Sequence, residues 1–151
     1  MIISFFGHSK FSGNVAYEQL LLDFLEKNIG DKAAVAYLGD HGDFDTFAYD
    51  CCKKYKFNHP NFTLVYVTPY MTLEFQKGNL NQQLERYDEI LYPEIEDKPI
   101  RFAIVYRNRY MVEKSDYVVT FVSHNWGGAY TAYKYAERKG KPIFNLADFK
   151  E

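Results

Sequence analysis

The residues able to do chemistry fall in a few short segments. Gly127-Gly128, with Thr131 one turn further on, sits between an apolar run and a helical pattern. Glycines let the backbone close on an anion, and a helix start offers unpaired N–H groups and the positive end of its dipole. A Thr131 hydroxyl would add a donor. The same glycines equally suit a plain tight turn, and the Gly-Lys-Ser/Thr ending of a P-loop is missing. Gly39-Asp40-His41-Gly42-Asp43-Phe44-Asp45 sets three carboxylates near another helix start. Asp43 or Asp45 suits a helix cap, whereas Asp40 has no such duty and is free to face a ligand. Carboxylates also suit Mg²⁺. Arg107 and Arg109 flank Asn108; arginine grips phosphate or carboxylate with two prongs, although solvation or an ion pair with Glu113 is the plainer reading of the pair.

His8 follows Gly7 at the end of the first apolar run, where an imidazole can donate to phosphate or move a proton. His41 and His124 lie in loops of the same kind and His59 does not; their spacing matches no zinc motif. Trp126 offers a ring for stacking on a base, or a cover for the core. Cys51 has the spacing of a core position in a helix and reads as packing.

These segments need elements to hold them. Met1–Phe6 reads as a first strand, too short and without basic residues for a signal peptide. After Asn14, a natural cap, Tyr17, Leu20, Leu21, Phe24, Leu25 and Ile29 follow helical spacing up to Gly30. Ala33–Leu38 is a continuous apolar strand, as expected when both sheet faces are covered. A second helix puts Phe44, Phe47, Ala48, Cys51 and Tyr55 on one face. Phe62–Val67 is a third strand, ending at Thr68-Pro69. Leu80–Tyr87 reads as a short helix, Glu89–Tyr92 as a short strand, and Glu94–Asp97 as an exposed acidic loop. Pro99 suits the first turn of a helix running to about Lys114. Tyr117–Val122 is another buried strand, Ala129–Lys139 a helix stopped by Gly140 and Pro142, and Ile143–Leu146 a last strand. Strands alternating with helices predict an α/β chain with a Rossmann-like, mostly parallel sheet and helices on both faces. Such sheets bind ligands beyond the carboxyl ends of their strands, and the unusual segments all fall there.

The bulk properties agree. The chain has 151 residues, which fits one domain, and is 47% hydrophobic and 19% aromatic. A net charge of −2 and a pI near 6.1 argue against nucleic acid as a partner, which needs a basic face. The only two cysteines, Cys51 and Cys52, are adjacent, so the chain is not a disulfide-stapled secreted domain; a reducing cytoplasm is the expected location. No apolar run approaches the roughly 18 residues of a membrane span, so no membrane is expected. No bound cofactor is expected, and the pattern does not decide whether the chain forms a homo-oligomer.

Taken together, three stretches resemble the SLOG superfamily, and within it the small stand-alone YpsA-like members. That superfamily also includes the LOG (lysine decarboxylase-like) phosphoribohydrolases and the Rossmann-like domain of DNA-processing protein A. Phe6-Gly7-His8 is similar to the opening strand and Gly-His turn. Gly39 to Ala48 resembles the Gly-x-x-x-Gly-Phe-Asp-x-x-Ala element, with Asp43 at the second glycine. Arg107 to Val112, followed by Ser115-Asp116, is similar to the Arg-x-x-x-Met…Ser-Asp segment, and Gly127-Gly128 with Thr131 takes the place of the Gly-Gly-x-Gly-Thr loop. The resemblance covers nearly the whole chain. It implies a nucleotide or nucleotide-derived ligand and raises Arg107, which falls on the LOG family's functional arginine. The glutamate that follows the loop threonine in the phosphoribohydrolases is Tyr133 here, Trp126 replaces a proline, and Ala129-Tyr130 replaces the x-Gly step.

The leading expectation is therefore a domain that binds or senses a nucleotide-like small molecule. Gly127, Gly128 and Thr131 would hold phosphate, Arg107 would clamp it, and Gly7, His8, Gly39, Asp40 and Asp45 would shape the sugar or base side. The alternative is a nucleoside-monophosphate N-glycosidase with Asp40 or Asp45 standing in for the glutamate at its oxocarbenium-like state. Binding of single-stranded DNA is a third and weaker expectation.

Overall fold

Six parallel strands form one sheet in the computed structural model, which describes residues 1–149. The strands are β1 (Ile2–Gly7), β2 (Ala34–Leu38), β3 (Phe62–Val67), β4 (Glu89–Leu91), β5 (Tyr117–Phe121) and β6 (Ile143–Asn145). Their spatial order is β4-β3-β2-β1-β5-β6, and every neighbouring pair is parallel. The chain starts mid-sheet, steps outward through β4, then returns to the other side of β1. Ile3 pairs with Ala36 on one side and with Tyr117 on the other. The reversal of direction lies between β1 and β5, the place where open α/β sheets leave a crevice.

Helices α1 (Val15–Asn28), α2 (Asp43–Asn58), α3 (Leu73–Gly78), α4 (Leu80–Arg86), α5 (Ala103–Lys114) and α6 (Gly128–Arg138) complete the fold. Successive strand residues point to opposite faces, so the apolar runs feed two cores. Phe5, Leu64 and Tyr66 join α1 and α2 residues such as Leu21, Leu25 and Phe44 on one face. Phe6, Val65 and Val67 join Met111, Val112, Ala132 and Ala136 of α5 and α6 on the other. Burying side chains of this size stabilises by about 1.5–3 kcal/mol each. The α/β, Rossmann-like expectation holds, with a sheet that is parallel throughout.

Three local expectations change. Helix α3 was not expected: Thr72 caps it, its hydroxyl accepting from Phe75 N at 3.2 Å, and none of its residues is buried. Without a buried stripe it leaves no apolar period to read. Pro99 stands before a 3-10 turn, Ile100–Phe102, that leads into α5 rather than inside the first turn of one long helix. The cap of α2 is Gly42, not an aspartate. Asp45 instead accepts from His41 N at 2.9 Å, and Asp43 from Phe11 N at 3.3 Å.

Candidate functional site

The crevice between β1 and β5 opens into a cavity of about 720 Å³, within the range typical of small-molecule sites. It is assembled from the loops after β1, β2 and β5 at the carboxyl edge of the sheet, with the start of α2 and one face of α5. Of the residues singled out from the sequence, Gly7, His8, Gly39, Asp45, Arg107, Gly127 and Gly128 line it. His41, His124 and Trp126, also noted in the sequence, line it too, and Lys10 and Asn108 join them.

At β1, Gly7 has a packing reason. A Cβ there would lie 2.1 Å from Cγ of Phe44, which is fully buried, so α2 can press on the strand end only if the residue is glycine. His8 is 7% exposed and its Nε2 accepts from Ser123 N at 2.9 Å. That nitrogen is therefore unprotonated and not free to donate to phosphate. Burial, followed by the neighbouring His124, lowers the His8 pKa. The His8 and His124 rings stack at 3.6 Å, and His124 stacks on Trp126 at 3.9 Å. The column runs outward from the core to Trp126, which is 67% exposed. Its foot is braced from β6, where the Asn145 side chain bonds both N and O of Val122 at 3.0 Å.

At the start of α6, Gly127 adopts φ +93°, a conformation costly for other residues. No side chain caps the helix, so its first-turn N–H groups lack a side-chain acceptor. A Cβ added at Gly127 or Gly128 would meet nothing within 4 Å. The glycines therefore leave open backbone facing the cavity, and packing does not explain Gly128. Thr131 is turned away: its hydroxyl donates to Gly127 O at 3.1 Å. It lines a separate, narrow groove between α5 and α6. A helical threonine satisfies its hydroxyl in this way, by bonding back to the i−4 carbonyl.

Arg107 is the buried cation of the site, 3% exposed. Its Nη1 donates to Val67 O at 2.7 Å and its Nε to Asn108 Oδ1 at 2.9 Å. A Cβ at Gly39 would be 3.0 Å from Asp45 Oδ2 and 3.2 Å from both Arg107 amino nitrogens. The carboxylate and the guanidinium thus converge on the space where Gly39 has no side chain. Burial raises the Asp45 pKa, opposed by the His41 N–H and by Arg107. Burial and then Arg107 lower that of His41.

Asp40 does not line this cavity. It faces a second one of about 370 Å³ beyond β2 and β3, accepting from Gln83 Nε2 at 2.8 Å with Arg86 Nη1 at 3.8 Å. Among the described residues no three His, Cys, Asp or Glu gather as a metal-binding group. Cys51 and Cys52 are buried, and burial pushes the Cys51 thiol up to about 12, which suits packing rather than nucleophilic work. No helix among the described residues is long and apolar enough to cross a membrane.

The strand order and the crevice at its reversal define a Rossmann-like α/β fold. No family model and no curated protein matches the chain. Among solved structures it is similar to DNA processing protein A from Helicobacter pylori, whose structure is described for its unique single-stranded DNA binding mode. The TM-score is 0.63 at 19% identity, over 96% of this chain and 64% of that one. The chain therefore spans less than two-thirds of the neighbour's length, and the likeness establishes the fold.

Proposed function

We propose that the chain binds a nucleotide or nucleotide-derived ligand in the cavity between β1 and β5, as a small member of the SLOG superfamily. The observation that carries this is the open, uncapped α6 N-terminus at Gly127-Gly128 beside an exposed Trp126 held by the His8–His124 column. The helix end suits a phosphate, and the free Trp126 face suits a base, which stacks on an aromatic ring for about 1–3 kcal/mol. Arg107 acts from behind as a buried positive charge, while Lys10 stands exposed at the wall. The test is thermal unfolding with a panel of nucleotides, each mixture then analysed for released base. A ligand at a hundred times its Kd adds about 2.7 kcal/mol of stability. Stabilisation with intact ligand is the expected result; no shift with any nucleotide overturns the proposal.

One observation favours an enzymatic reading. Of the two aspartates considered for glycosidic cleavage, Asp45 lines the cavity and its pKa is raised, as a proton donor requires. Free base formed by the wild type and abolished in Asp45→Asn identifies the N-glycosidase. Charge segregation favours a third reading, binding of single-stranded DNA, the ligand named for the structural neighbour. Residues 98–141 carry nine Lys and Arg against three Asp and Glu, a net +6 within a chain of net −2. On α5 and α6, Arg109 and Arg138 stand over Tyr135 and Lys114 stands over Tyr110. Basic groups interleaved with aromatics suit single strands, and a low-salt gel shift lost in Arg109→Ala/Arg138→Ala would establish it.

A further inference from the structure

The cavity of about 370 Å³ beyond β2 and β3 takes no part in the nucleotide site. His41 borders it as well as the first cavity. Burial and then Arg107 lower the His41 pKa, against Asp40, so that ring is neutral near pH 7. Among the described residues, Asp40 and Arg86 are then the only charged side chains on the walls of this second cavity.

Both charges keep bonding capacity. Arg86 Nη1 stops 3.8 Å from Asp40 Oδ1, beyond hydrogen-bond distance. The two side chains are 40% and 35% exposed, so neither seals the other. Arg86 is held by stacking instead: its guanidinium stands over the Tyr49 ring at 4.6 Å and over the Tyr87 ring at 5.5 Å. A guanidinium so placed keeps N–H groups for a carboxylate. Gln83 is 9% exposed, and its Nε2 donates to Asp40 Oδ2 at 2.8 Å. That bond sets the amide, because the opposite orientation would press its oxygen on a carboxylate. Oε1 is then buried with no partner among the described residues, and a buried carbonyl oxygen without a donor is destabilising. Asp40 Oδ1 and Gln83 Oε1 are thus acceptors in want of a donor, and Arg86 is a cation in want of an anion. Tyr66, Tyr70 and Phe75 add an aromatic wall.

We infer that this cavity binds a free α-amino acid by its zwitterionic head. The ammonium donates to Asp40 and to Gln83 Oε1, the carboxylate accepts from Arg86, and the side chain lies along the aromatic wall. One carbon carries both charges of such a head, which matches a carboxylate and a guanidinium 3.8 Å apart. An amine alone would set its charge beside Arg86, and a carboxylate alone beside Asp40; like charges so placed reject a ligand. A sugar offers donors to the two acceptors but no anion to Arg86. The site is separate from the α6 N-terminus, so its occupancy does not depend on the nucleotide reading.

The experiment is thermal unfolding of the intact chain with each of the common free L-amino acids, without nucleotide. The most stabilising one is then titrated by calorimetry beside its N-acetyl derivative, which lacks the ammonium, and its decarboxylated amine, which lacks the carboxylate. Each should bind about tenfold to a hundredfold more weakly than the free amino acid. Arg86→Met should weaken the free amino acid by a similar factor and leave the amine bound no more weakly than by the wild type. Gln83→Leu should weaken the free amino acid as well, in variants whose thermal unfolding shows them folded. No shift with any amino acid overturns the inference and leaves the nucleotide site standing. So does a derivative lacking one charge that binds as tightly as the free amino acid, or binding that is unchanged in Arg86→Met. An amino acid that binds where no nucleotide does overturns the nucleotide reading alone.

Discussion

Arg107→Met tests how the buried charges of the site are balanced. The substitution keeps the length and apolar stem of the side chain and removes its cation. Val67 O then loses a donor at 2.7 Å, and an unpaired buried acceptor costs about 1–3 kcal/mol. Asp45 loses its nearest buried positive charge. Removing one member of a direct buried ion pair costs about 3–5 kcal/mol. Gly39 lies between these two groups and no contact within ion-pair distance joins them among the described residues, so that range is an upper bound. The expected loss near neutral pH is about 2–4 kcal/mol, a fall in Tm of roughly 4–16 °C for a chain of this size. The pH dependence identifies the cause. Burial raises the Asp45 pKa above its ordinary value of 3.8, so the folded chain holds this proton to higher pH than the unfolded chain. Ionisation of Asp45 therefore destabilises the fold as pH rises above that value. Without Arg107 the folded pKa climbs further and the penalty extends toward neutrality. Urea unfolding should show the variant's deficit growing as pH rises above the ordinary carboxylate value of 3.8, and Arg107→Met/Asp45→Asn should remove the growth. A deficit that is flat with pH, or below about 0.5 kcal/mol at neutrality, would refute the reasoning.

Gly7→Ala should lower stability by about 1–3 kcal/mol, because its Cβ would overlap the Phe44 ring at 2.1 Å; unfolding of the purified variant checks this. Gly128→Ala should leave stability within about 0.5 kcal/mol of wild type, since its Cβ meets nothing within 4 Å. It should nevertheless weaken nucleotide binding, because the methyl fills space at the helix start; titration against the wild type reads the difference. The His8 pKa is lowered by burial and by His124, so the unfolded chain takes up the His8 proton first as pH falls. The stability that His8 contributes is thus present above about pH 6.5 and is lost below it. His8→Phe should flatten that part of the stability–pH curve.

Much of the fold was legible because buried strands announce themselves: Ala33–Leu38 is apolar throughout, and Phe62–Val67 is apolar but for Thr63, since both faces are covered. Helix α1 showed its stripe for the same reason. Helix α3 did not, because none of its residues is fully buried and only Phe75 packs on the core. The site loops were legible as punctuation at strand ends, yet the directions of their side chains were not. Asp40 and His41 are adjacent, but Asp40 turns only to the second cavity while His41 borders both. The glycine signal at Gly7 and at Gly127-Gly128 looked alike in sequence; one glycine makes room for Phe44 and the others leave backbone open. The His8–His124–Trp126 column joins residues more than a hundred positions apart, and only the pairing of β1 with β5 brings them together. The −2 net charge hid the net +6 of residues 98–141 by averaging it with an acidic remainder.

The most direct measurement is a titration of intrinsic fluorescence, because Trp126 is the chain's single tryptophan and stands at the cavity. Its exposed ring should give a saturable change with a nucleotide, weakened in Gly128→Ala and smaller for ribose 5-phosphate, which lacks a base to stack. No saturable change with any nucleotide, in a chain shown to be folded, would contradict the assignment of this cavity as a nucleotide site.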